Sequence, residues 1–166
     1  MSLMEDEVDA IVAAWQRERP DLDVVPLQVM SRLDRLAGVL GDRRVAIFAR
    51  HDLRRHEFDV LAALRRAGDP FELTAGELTA QTYVTSGTMT SRLDRLSERG
   101  LVTRAADPED GRLVRVTLTA SGRALVDAAF AELVSLERDL LAPLSSSSQG
   151  ELAATLRELL ARAVTS

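Results

Sequence analysis

The hydrophobic pattern of this chain changes period at Gly100, and that change constrains the fold more than any other feature of the sequence. Ahead of it, Met89, Leu93 and Leu96 lie four and three residues apart, the spacing of a helix with one buried stripe. Behind it, Val114, Val116 and Leu118 alternate with Leu113, Arg115 and Thr117, and Leu101 to Arg104 is a second short strand-like run. Asp107, Pro108, Glu109, Asp110 and Gly111 between them are turn formers, so the two runs predict a β-hairpin with an extended tip. Gly100 suits the left-handed position past a last helical turn, with Arg99 near the carbonyl end and Leu101 able to touch Leu96.

Upstream of this switch, Leu73, Thr74 and Glu77 form a helix-start signature, in which the threonine hydroxyl and the glutamate carboxylate cap each other's backbone. The helix it opens is short, because the periodicity breaks at Thr82, Tyr83 and Val84, after which Thr85 or Ser86 can cap the next one. A further helix is predicted from His56 to Arg66 on Phe58, Leu61 and Ala62, ended by Gly68, Asp69 and Pro70. Helix, short helix, turn, helix and two-stranded wing together describe a winged helix-turn-helix over residues 51–118.

The flanks read as helical. Val8, Ile11, Val12 and Trp15 share one face before Pro20; after Pro26, Val29, Leu33, Leu36 and Leu40 share another, with Ile47 and Phe48 extending it past a break expected at Gly41. Thr119 is expected to cap a long helix with the stripe Leu125, Ala129, Leu133, Leu136 and Leu140. Ser145 to Ser148 reads as a linker, and Ser148 with Glu151 as the start of a last helix carrying Leu152, Leu156, Leu159 and Leu160. The expected class is mainly α with a small β-hairpin wing: helices of a dimerisation region in 4–50, the winged domain in 51–118, and C-terminal dimerisation helices in 119–166. A single small winged domain could not cover all these apolar stripes, whereas a second copy of the chain would. Met1, Ser2 and Leu3, ahead of a second methionine, are read as an appended scar and kept out of the fold.

Composition narrows the function. A formal net charge of −5 argues against a protein that coats nucleic acid by bulk charge, so any DNA contact depends on where cations are placed. All 21 basic residues are arginine, which makes planar, two-pronged contact with phosphate or guanine available at each. The chain has no cysteine, which removes disulfides, thiolate metal sites and thiol redox sensing. His51 and His56 are five apart, off the spacing of a helical zinc pair, and are expected as solvated side chains near a helix start. Neither metal nor cofactor is expected. Asp107, Glu109 and Asp110 read as loop carboxylates, and the phosphate-loop, nucleophile-turn and histidine-dyad signatures are missing, so no catalysis is expected. The lack of a long apolar run or a signal-like start points to a cytoplasmic protein.

With Met89, Leu93 and Leu96 inward, the helix before Gly100 turns Ser86, Thr88, Thr90, Ser91, Arg92 and Arg95 outward. Hydroxyls and guanidiniums are the side chains that read phosphates and base edges in the major groove, and the helix N-terminus adds attraction for phosphate. Arg112 at the hairpin tip would suit the narrow minor groove. Arg104 and Arg115 lie on the strands, where they either meet phosphate or pair with Asp94, Asp107 or Asp110.

In chain order, Glu57-Phe58-Asp59-Val60-Leu61, Leu73-Thr74, Glu77-Leu78, Ser86 through Leu96, Arg99-Gly100-Leu101-Val102, Asp107 through Arg112 and Val116-Thr117-Leu118-Thr119 closely resemble the MarR family of bacterial regulators, from about Arg54 to Gly122. The resemblance implies a homodimer with interleaved terminal helices and two projecting winged domains. It further implies a sequence-specific double-stranded DNA-binding repressor, an approximately palindromic site, and a small aromatic inducer. DNA-binding residues are then Ser86, Thr88, Thr90, Ser91, Arg92, Arg95, Arg112 and Arg115. Family members often carry a second cation beside the tip arginine; here that residue is Gly111, leaving Arg112 as the single probe. Trp15, Met30, Arg35 and Phe48 could line an inducer pocket, although apolar residues on a helical stripe more often serve the core. The alternative reading keeps the winged fold but uses it for protein contacts or non-specific chromosome organisation.

Overall fold

The computed structural model describes residues 5–165, so Met1 to Leu3 lie outside the described residues. The chain divides between Arg50 and His51 into two compact units.

The first unit holds α1 (Glu7–Glu18) and α2 (Leu27–Arg50). Asp6 opens α1 with a reciprocal cap: its carboxylate accepts from the Val8 and Asp9 amides, while its own N–H donates to Asp9 Oδ2 at 2.9 Å. Val8, Val12 and Val24 form a small core with Leu27 beside it. Arg32 pairs with Asp6 at 2.8 Å and Asp9 at 2.9 Å, and Arg35 pairs with Glu7, so the N-cap acid and two acids of the first turn hold α1 along α2. The break expected at Gly41 does not occur: α2 runs unbroken through it. One glycine costs a helix interior about 1 kcal/mol, too little to stop a 24-residue helix.

The second unit runs α3 (Arg55–Arg66), β1 (Glu72–Thr74), α4 (Ala75–Thr82), α5 (Ser86–Glu98), β2 (Val102–Ala106), β3 (Val114–Leu118), α6 (Ala120–Leu141) and α7 (Ser146–Thr165). Val60, Leu61, Leu64, Leu78, Met89, Leu93, Leu96, Val102 and Val116 are almost wholly buried, so α3, α4, α5 and the sheet share one core. The sheet is antiparallel in the order β1-β3-β2, with Leu73 and Arg104 opposite Val116 from either side. The third strand was not expected. It is three residues long and runs straight into the Thr74 cap, so its sequence carries the helix-start signal and no alternation of its own.

The start of α6 is seated tightly. Thr119 Oγ1 accepts from the Gly122 amide at 3.0 Å and lies 2.8 Å from the Gly100 carbonyl oxygen, which Ser121 Oγ also reaches at 3.0 Å. Gly122 is buried against Leu101, and the buried stripe continues through Val126, Ala129 and Leu133, so Val126 takes the place expected for Leu125. The serine run is not a linker: Ser145 Oγ accepts from the Ser148 amide at 3.1 Å and α7 begins at Ser146. Serine favours a helix cap over a flexible connection whenever apolar residues follow at helical spacing. Leu152, Leu156, Leu160 and Val164 form an exposed apolar stripe on α7.

Candidate nucleic-acid interface

The helix-turn-helix is built by two caps. At Thr74, the hydroxyl accepts from the Glu77 amide at 3.2 Å and the Glu77 carboxylate accepts from the Thr74 amide at 2.7 Å. At Thr85, the hydroxyl caps the Thr88 amide and opens α5. Met89, Leu93 and Leu96 face the core, which leaves Ser86, Thr88, Thr90, Ser91 and Arg95 exposed and Arg92 partly so. Thr90 Oγ1 and Ser91 Oγ donate back to the Ser86 and Gly87 carbonyls at 3.1 and 3.3 Å.

A residue outside the expected site steadies the other end of α5. Glu57 is 2% exposed, and its carboxylate accepts from the Arg54 amide at 2.8 Å and from Arg99 at 3.5 Å, with Arg95 Nε 3.9 Å away. Arg99 also reaches Asp52 at 3.2 Å. A buried carboxylate needs such partners, so Glu57 positions the arginines at the C-terminal half of the helix. The histidines are not solvated as expected: His51 Nε2 bonds Glu132 Oε1 at 3.0 Å, and both rings are partly buried. His56 is held below the usual histidine range by burial first and by the nearby Arg92 cation second.

The wing is organised by Asp107. This buried carboxylate accepts from the Glu109 and Asp110 amides at 2.7 and 3.0 Å and from Arg115 Nε. Arg115 Nη1 crosses to Glu72 on β1 at 2.9 Å, and Glu72 also accepts from the Thr117 hydroxyl at 2.6 Å. Arg104 is likewise paired, with Asp94 at 2.7 Å. Both strand arginines thus take carboxylate partners, whereas Arg112 stands exposed at the tip with its amide on Asp110 Oδ1 at 3.0 Å. Arg35 is held by Glu7 and Phe48 is buried, while Trp15 and Met30 stay about half exposed. Tyr83, which the sequence reading did not place in the site, sits in the turn between α4 and α5 at φ +52° with its side chain in solvent.

Amides of the turn, then Arg115, lower the Asp107 pKa, and the Thr117 hydroxyl, then Arg115, lowers that of Glu72. Groups with depressed folded-state values stabilise the wing above the ordinary carboxylate range and lose that contribution as pH falls through their lowered values. Acidification below that range is therefore expected to loosen the wing before the α3–α5 core. Asp107→Ala should do so at neutral pH, with the Glu109 and Asp110 amides exchanging at least about tenfold faster. Unchanged protection of those two amides would show that the turn holds without its carboxylate.

A family model described as the MarR family matches residues 51–113. The HTH-type transcriptional regulator PecS of Dickeya dadantii is 38% identical over 150 residues, spanning 90% of each chain. A MarR family protein from Bacillus stearothermophilus matches in fold with a TM-score of 0.72 at 24% identity, covering 86% of this chain and 99% of that one. Bordetella bronchiseptica BpsR, solved in a study of how 6-hydroxynicotinic acid regulates its DNA binding, is 28% identical, with a TM-score of 0.59 over 77% of this chain and 98% of its own. With a cap-built helix-turn-helix, an Asp107-organised wing and a relative matched over nearly its whole length, the chain belongs to the MarR family of transcriptional regulators.

Proposed function

We propose that this regulator represses transcription as a homodimer on approximately palindromic DNA, with α5 in the major groove and Arg112 in the adjacent minor groove. The observation that carries the reading is the pairing of a core-locked α5, exposing Ser86, Thr88, Thr90, Ser91 and Arg95, with a wing whose Arg112 is exposed while Arg115 and Arg104 are paired. Between Glu72 and Leu118 six arginines meet seven acids, so affinity comes from placement and not from net charge. Of the eight expected contacts, Arg115 is assigned to wing support, and Arg92, only partly exposed, to the groove edge.

Dimerisation is supported by apolar stripes left uncovered in each unit: Val29, Leu36 and Val39 on α2, and Leu152, Leu156, Leu160 and Val164 on α7. Residues 4–50 and 119–166 are accordingly assigned to the dimer base. Among the described residues no helix is long and apolar enough to cross a membrane, and we place the protein in the cytoplasm with its DNA. The BpsR comparison supports a small aromatic acid as inducer, acting by its greater affinity for the dimer state whose reading helices are mis-spaced. No catalytic step is assigned.

Two measurements test this. Light scattering should give twice the 18.2 kDa chain mass, and a single-chain mass would remove the dimer. Titration at fixed salt should show tighter binding to duplex flanking its own gene than to scrambled duplex, by about a thousandfold. Equal affinity for both would instead favour non-specific chromosome organisation.

A further inference from the structure

Tyr83 bears two costs that its own fold does not offset. It is the only tyrosine of the chain, and it closes α4 at φ +52°, ψ +46°, a region where Cβ crowds the backbone and glycine or asparagine usually stands. The residue is 95% exposed, so the ring gains almost no burial in return. The end of α4 uses only its backbone, whose N–H donates to the Thr79 carbonyl as that of any non-proline residue would, so the ring is not needed there. A strained backbone carrying an aromatic ring wholly in water is the pattern of a residue kept for a contact made outside the molecule.

Its location says which contact. Tyr83 lies two residues ahead of the Thr85 cap, in the turn that feeds the chain into α5. The first residues of a reading helix enter the groove, so the turn just before them lies over the sugar–phosphate rim. Resting on the proposed function, we propose that Tyr83 is a DNA-binding residue whose phenol O–H donates to a backbone phosphate oxygen at the edge of the major groove, fixing the register at which α5 enters. A phenol carries no charge and displaces no condensed cation, so this contact adds affinity without adding to the salt dependence.

The experiment compares full-length wild type, Tyr83→Phe and Tyr83→Gly on the duplex flanking the protein's own gene and on scrambled duplex, across a salt series, with thermal denaturation alongside. Both variants are expected to bind the specific duplex about tenfold more weakly per half-site, with an unchanged log–log salt slope. Tyr83→Gly should melt no lower than wild type, or up to about 3 °C higher, because relief of the left-handed strain offsets the entropy of glycine. Wild-type affinity in Tyr83→Phe would overturn the hydroxyl contact, and wild-type affinity in both variants would overturn the assignment altogether, as would a Tyr83→Gly loss explained by a lower melting temperature. If wild type itself shows no preference for the specific duplex, the functional reading fails and this assignment fails with it; unweakened variants beside a discriminating wild type sink this assignment alone.

Discussion

Replacing Gly122 with alanine is expected to destabilise the fold by about 3 kcal/mol and to lower the melting temperature by roughly 6–12 °C. A Cβ built at this position would sit 2.1 Å from the Leu101 carbonyl oxygen and 2.9 Å from Leu118 Cδ1. The first obstacle is backbone and cannot rotate away. The Gly100–Leu101 joint would have to move, and it holds the end of α5, the start of β2 and the cap of α6 together through Thr119 and Ser121. The same variant should therefore lose specific DNA binding even at temperatures where it stays folded. Melting within a degree or two of wild type would show that α6 does not seat on this joint.

The largest effect on function is expected from Arg112→Ala. Truncating an exposed wing-tip guanidinium leaves the fold untouched, so melting should not change, while affinity for the specific duplex should fall by about tenfold or more per half-site. If Arg112 meets phosphate, the salt slope drops by about one unit for each contact removed. Arg115→Ala makes the informative comparison. That guanidinium is already held by Glu72 and Asp107, so its loss should weaken binding through a disordered wing, with faster amide exchange at Glu109 and Asp110 and no change in slope. Arg112→Ala with unaltered affinity and slope would remove the wing from the DNA-binding account.

What could be read from the sequence was local. The change of period at Gly100, the Thr74–Glu77 cap and the Met89, Leu93, Leu96 stripe each lie within one or two turns of chain, and each is where the sequence puts it. Strand β1 escaped notice because three residues cannot show alternation, and its pairing with β3 joins Glu72 to Thr117 across the whole helix-turn-helix. The strand arginines were left with two readings for the same reason. Arg104 and Arg115 take Asp94 and Asp107, partners named from the sequence, but Arg115 also reaches Glu72, 43 positions away, which no spacing rule points to. Glu57 stood in the sequence only as part of the Glu57-Phe58-Asp59-Val60-Leu61 motif, and its burial beside Arg95 and Arg99 gives it a positioning role. Tyr83 was visible only as a break in the pattern, since neither a left-handed backbone nor the solvent exposure of a tyrosine can be told from its neighbours in sequence.

The bridge from Glu72 through Arg115 to Asp107 fastens the lead-in of α4 to the hairpin, so helix and finger travel as a single stiff tool. A tool of that kind resists being disarmed by bending. On the proposed dimer, induction becomes a matter of span: a small aromatic effector would release DNA by altering how far apart two intact reading heads stand, and each head should keep its internal geometry whether the operator is held or let go.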